Sequence, residues 1–123
     1  MDIACDTMVS VKQKRSVLMK PLELNELEFS RMLESGEAFL VDYWAPWCVY
    51  CRRIAPAYEK LAEQYEGKLK IAKVNIDENP ALADREHIEV IPTLVLYSGG
   101  KAQGFVVAPD SKAAMEEFIE GLI

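Results

Sequence analysis

Two cysteines three residues apart, Cys48 and Cys51, lie where two patterns that demand different backbones meet. Upstream, Phe39-Leu40-Val41-Asp42-Tyr43-Trp44 is a short run of aromatic and β-favouring residues of the kind a buried strand shows. Downstream, Cys51, Ile54, Ala55, Tyr58, Leu61, Ala62 and Tyr65 recur at steps of three and four, which places them on one helical face. The cysteine pair therefore opens a helix. The first turn of a helix has amide N–H groups without partners and a partial positive charge, and both stabilise a thiolate, the reactive form of the side chain. Spacing i, i+3 brings the two sulfurs to one side of that turn, where a disulfide can close and reopen with little backbone movement.

The rest of the chain reads as support for this junction. Residues 1–16 show no usable period and cluster Lys12, Lys14 and Arg15, which reads as a solvated N-terminal arm with Cys5 a spare thiol in it; residues 17–123 read as one domain. Val17, Leu18 and Leu22 suggest a first strand, which Pro21 restricts to an edge. Asn25-Glu26-Leu27-Glu28 has the spacing of a capping box, with Leu24 and Phe29 as its hydrophobic staple, so a helix is expected from Glu26 to a stop at Gly36. Leu69 to Ile76 is the next strand pattern, and a helical connection of that length implies a parallel, right-handed crossover. Asn79-Pro80 supplies a cap and first position for a short helix to about Arg85. Thr93–Tyr97, the turn Ser98-Gly99-Gly100 and Phe105–Val107 read as an antiparallel hairpin. Ala114, Met115, Phe118, Ile119 and Leu122 mark an amphipathic closing helix from Ser111. Pro56 interrupts the long helical pattern and is read as structural.

Charge and cysteine count narrow the function. A net charge of −6 argues against a chain that tracks phosphates or binds membranes through a basic patch, so neither nucleic acid nor membrane is an expected partner. Without a long apolar window or a signal-peptide pattern, a cytoplasmic protein is expected, and three cysteines in such a chain point to catalysis or metal rather than to a disulfide scaffold. His87, the only histidine, is expected on the surface near a helix end, and no resident metal is expected.

Five separated segments, in order, carry a resemblance: Val41-Asp42-Tyr43-Trp44-Ala45, Trp47-Cys48-x-x-Cys51, Ile54-Ala55-Pro56, Lys73-Val74-Asn75-Ile76-Asp77-Glu78-Asn79-Pro80, and Ile91-Pro92-Thr93. From about Leu24 to Leu122 the chain resembles the thioredoxins. The resemblance implies an α/β thioredoxin fold, a central mixed β-sheet flanked by helices, and a thiol–disulfide oxidoreductase that reduces protein disulfides without a cofactor. Cys48, at the exposed helix end, would attack the substrate disulfide and Cys51 would resolve the mixed disulfide. Asp42, in an otherwise apolar strand where burial raises a carboxyl pKa, would help deprotonate Cys51, with Lys73 as its electrostatic partner. The resemblance also implies a cis bond before Pro92, which would hold a substrate chain against the backbone of Ile91. Trp47 reads as a rim residue that shields the site and contacts partners. Disulfide-bearing substrate proteins and a thioredoxin-reductase-like electron donor are the implied partners, and the chain is expected to be a monomer.

Two departures bear on partner choice. Between the cysteines, where thioredoxins carry Gly-Pro, stand Val49 and Tyr50, which alters helix-end chemistry and sets a bulky ring beside the site. After the last strand, where thioredoxins usually have a glycine at the substrate surface, stands Ala108 between Val107 and Pro109. Two alternatives stay open: a disulfide oxidase or isomerase, and a metal-binding dimer in which two CxxC pairs, or Cys5 and His87, complete the ligand set.

Overall fold

The computed structural model describes residues 20–123. Its elements run β1 (Leu22–Glu23), α1 (Glu26–Ser35), β2 (Phe39–Trp44), α2 (Val49–Gln64), β3 (Lys70–Asn75), α3 (Pro80–Arg85), β4 (Thr93–Ser98), β5 (Lys101–Val107) and α4 (Lys112–Glu120). The five strands form one sheet in the order β1-β3-β2-β4-β5. β1 and β2 flank β3 in parallel, while β4 runs antiparallel to both β2 and β5, so the sheet is mixed as expected.

Alternation along the strands divides the core. Leu40, Ile71, Leu94 and Leu96 face Ile54, Tyr58 and Leu61 of α2 and Met115 and Ile119 of α4. Their neighbours Phe39, Val41, Tyr43, Ala72, Val74, Val95 and Tyr97 face Phe29 of α1 and Leu82 of α3. Burial in both layers is nearly complete, with Leu40, Val41, Tyr43 and Leu94 all at 0% exposure. Each such buried aliphatic side chain contributes about 1.5–3 kcal/mol of transfer free energy. The central strand β2 is therefore the most costly place in the molecule for a charge, and Asp42 sits in its middle.

Local signals explain most boundaries. Asn25 and Glu28 exchange backbone and side-chain hydrogen bonds, completing the capping box, and Gly36 ends α1 in the left-handed region at φ 79°. Gly99 and Gly100, both at positive φ, form the two-residue turn between β4 and β5, as expected for a tight hairpin. Ser111 caps α4 by accepting from the Ala114 amide. α2 runs on through Pro56 without a break.

Some boundaries differ from expectation. β1 pairs with β3 only through Leu22 and Glu23, so the first strand is shorter than the apolar residues suggested; Val17 and Leu18, like Cys5 and the expected arm, lie outside the described residues. Asn79 does not cap α3 with its side chain. Its Nδ2 instead donates to the Asn75 carbonyl at 3.0 Å, locking the turn after β3. β5 begins at Lys101, four residues before the expected start, because the hairpin pairing rather than apolar alternation determines it. Leu122 falls beyond α4 and lies over Gly104, where a Cβ would stand 3.0 Å from its Cδ1. Among the described residues no helix is long and apolar enough to cross a membrane.

Candidate active site

β2 ends at Trp44, Ala45-Pro46-Trp47 turns the chain, and α2 begins at Val49, so Cys48 is the N-cap of a sixteen-residue helix. Cys51 is the third residue of its first turn. The two sulfurs are joined, with Cα atoms 5.2 Å apart, and the Cys51 amide donates to Cys48 Sγ at 3.1 Å. That N–H, together with the helix end, is the donor a Cys48 thiolate needs once the bond is reduced. Cys48 is not exposed as expected: at 8% it is buried nearly as deeply as Cys51 at 3%, because the turn and the side chain of Tyr50 crowd the pair.

Asp42 lies beneath. Strand register sets it opposite Lys73 on β3, on the sheet face that α2 covers. It is 3% exposed, and its Oδ1 has no hydrogen-bond partner among the described residues. Desolvation by burial pushes its pKa up to about 7, against the pull of the Lys73 ammonium, which lowers it. A cavity of about 50 Å³ connects Asp42, Lys73, Trp44, Tyr58 and Cys51 and is large enough to admit water. Lys73 is not at a free edge, since β1 covers β3 at that position; its Nζ lies 4.3 Å from the centroid of the Trp44 ring, a cation–π contact that fixes the ammonium near the carboxyl. Trp44 is thus neither plain core nor rim: it is half-buried, and its buried Nε1 finds no acceptor among the described residues.

The surface around the disulfide comes from three segments. Trp47 is 63% exposed and its indole is steered by a hydrogen bond from Nε1 to Asp77 Oδ1 at 3.1 Å. Val49, also exposed, stands one residue beyond Cys48. The Ile91–Pro92 bond is cis, and half-buried Ile91 packs against the cluster of Ala45, Cys48 and Cys51. The Ala108 amide donates to the Pro92 carbonyl at 2.8 Å, which ties the third segment to the second. Ala108 itself adopts φ 48°, the left-handed region in which an L side chain is strained and glycine is not.

The two departures from the family pattern meet. Tyr50 donates its hydroxyl to the Pro109 carbonyl at 3.2 Å, joining the first turn of α2 to the loop after β5. The pair is 59 positions apart in sequence, and no local signal connects them. Val90, Phe105 and Val107 are exposed near the cis bond and the Ala108 loop. His87 lies just after α3, at φ 61°, as a residue near a helix end. No group of three or more His, Cys, Asp or Glu residues suited to a metal ion occurs among the described residues.

The thioredoxin family model matches residues 20–121. Thioredoxin 1 of Nostoc sp. is 45% identical over 89 residues, spanning 72% of this chain and 83% of that protein. The thioredoxin of Synechocystis sp. is 43% identical over the same shares of each chain. Among solved structures, a variant thioredoxin from Halobacterium salinarum superposes with a TM-score of 0.76 at 32% identity, covering 85% of this chain and 91% of that one. With a joined cysteine pair capping the helix that follows the central strand, the chain belongs to the thioredoxin family and is a thiol–disulfide oxidoreductase of its disulfide-reducing kind.

Proposed function

We propose that the chain reduces disulfides in other proteins through Cys48, with Cys51 as resolving thiol and Asp42 as the base that frees it. In the dithiol form, the Cys48 thiolate attacks one sulfur of a substrate disulfide; that bond breaks, and the departing sulfur leaves as a thiolate that takes a proton from solvent. Cys51 then gives its proton to the Asp42 carboxylate, and its thiolate attacks Cys48 Sγ. The second substrate thiol is released and the Cys48–Cys51 disulfide remains, two electrons more oxidised than the starting dithiol. Asp42 returns its proton to water through the cavity it shares with Lys73. The two sulfurs and one carboxyl close the electron and proton balance, so the reaction needs no cofactor.

The observation that carries this reading is the position of the carboxyl: buried under Cys51 and held near pKa 7, it can both take and release a proton at neutral pH. Lys73 keeps that pKa from rising out of range. Trp47, Val49, Tyr50, Ile91, Pro92 and Ala108 form the surface that receives the substrate chain. The electron donor is a reductase that presents a dithiol to the same surface. The chain acts as a monomer in the cytoplasm.

Trapping tests the roles. With an oxidised protein such as insulin, the Cys51→Ser variant should accumulate a mixed disulfide at Cys48, identified by mass, while Cys48→Ser accumulates none. Accumulation on Cys51 in the Cys48→Ser variant, with none on Cys48 in Cys51→Ser, would reverse the roles and refute the reading.

A further inference from the structure

The surface that receives a substrate does not end at the disulfide. β5 is an edge strand, and its register places Val107 opposite Thr93 and Phe105 opposite Val95. These side chains share the sheet face of Tyr97, where α1 and α3 bury the inner strands but leave this edge open. The segment after α3 supplies the other wall, with Val90 held by a hydrogen bond from Thr93 Oγ1 to its carbonyl at 2.5 Å. Between the walls runs a groove of about 560 Å³. It opens one residue from Pro92 and one residue from Ala108, so it is continuous with the disulfide surface.

Two features define what fits. From Thr93 to Tyr97 the groove follows about 13 Å of strand, the span of roughly four extended residues. Its lining includes Glu86, His87 and Glu89 and, among the described residues, no lysine or arginine. Glu86 is already engaged: Tyr97, itself paired with the hydroxyl of Tyr43 at 2.7 Å, donates its hydroxyl to Oε1 at 2.9 Å, and Arg85 Nε lies 3.7 Å from Oε2, which leaves the exposed Glu89 as the groove's carboxylate for a partner's cation. Val90, Val95 and Val107 supply apolar lining, and Phe105 projects from the β5 wall at 68% exposure, an aromatic anchor left open to a partner. A second copy of the chain is a poor occupant: a two-fold contact would set the same acidic rim against itself.

We infer that this groove binds an extended segment of the substrate protein adjoining its disulfide, with a bulky apolar residue against Val90 and Phe105 and a lysine or arginine against Glu89. The inference rests on the disulfide-reductase reading. It makes Phe105, Val90 and Glu89 determinants of which proteins are reduced, although none touches the sulfurs. Binding energy gained there lowers KM and leaves the exchange step unchanged.

The test uses peptides with one identical intramolecular disulfide and a four-residue tail on either side: leucine–lysine repeats, leucine–glutamate repeats, or glycine–serine. The full-length chain should reduce a leucine–lysine peptide with KM at least about fivefold below that of the glycine–serine peptide, at equal kcat. Phe105→Ser should erase that advantage while leaving reduction of 5,5′-dithiobis(2-nitrobenzoic acid) unchanged. Glu89→Lys should shift preference toward the leucine–glutamate tail. Equal KM values for all tails, or an advantage that survives Phe105→Ser, would overturn the inference. So would a concentration-dependent dimer abolished by Phe105→Ser, which would make a second copy the occupant. Failure of the wild-type chain to reduce even the glycine–serine peptide would instead overturn the exchange reading itself, and the groove's role with it.

Discussion

Replacing Asp42 with asparagine changes one buried atom and removes one ionisation. In the folded chain the carboxyl has a pKa of about 7, against 3.8 when it is unburied. Between those values the folded state holds a proton that the unfolded state has lost, so the wild-type chain loses stability as pH rises from about 4 to about 7. The cost levels off above the folded pKa, where both states are ionised. Its full size is about 4 kcal/mol, with about 2 kcal/mol already present near pH 5.5. The asparagine side chain has no such proton, so every other titrating group cancels in a comparison of the two chains. Urea unfolding at pH 3.5, 5.5 and 8 should show the stability of Asp42→Asn rising relative to wild type by about 4 kcal/mol across the series. The same variant should accumulate the mixed disulfide at Cys48 at neutral pH, because Cys51 loses its proton acceptor. A stability difference that stays constant with pH would refute the claim that Asp42 is buried and titrates near neutrality, and with it the assignment of a base.

Lys73→Met removes the charge that lowers the Asp42 pKa, so the carboxyl should rise above 7 and the pH midpoint for resolving a mixed disulfide should move upward, read by quenched-flow alkylation at a series of pH values. Ala108→Gly relieves a left-handed alanine and should stabilise the fold by about 1 kcal/mol, or a Tm rise of about 4–8 °C, measured by calorimetry. Tyr50→Phe removes the hydrogen bond to Pro109 and should cost about 1 kcal/mol. Backbone exchange should then quicken at Ala108 and Asp110, while exchange within β2 stays as in wild type.

What the sequence made legible was local. A strand run into a helix period through CxxC placed the disulfide at the first turn of α2, since backbone geometry follows from apolar spacing alone. The capping box at Asn25, the stop at Gly36 and the Gly99–Gly100 turn are likewise spelled by neighbouring residues. Asp42 was legible because a charge in an apolar strand has few physical readings. What stayed hidden depends on residues distant in sequence. β5 begins early because pairing with β4 recruits Lys101–Gly104, a stretch with no apolar alternation. Tyr43 and Tyr97 are buried rings of the core, but their joined hydroxyls and the tie to Glu86 require the folded sheet and α3 together. The exposure of Phe105 is hidden for the same reason: an apolar residue on a strand is expected to be covered, and only the topology shows it standing open on an edge strand.

The equilibrium between the Cys48–Cys51 disulfide and its dithiol tests the central claim most directly. It can be read by alkylating the protein in a series of thiol–disulfide buffers and weighing the products. A protein that reduces others should have a midpoint potential below the cytosolic glutathione poise, more negative than about −260 mV. A midpoint well above that poise would mean that the pair passes its disulfide to other proteins rather than electrons. That result would contradict the account and favour an oxidase or isomerase built on the same fold.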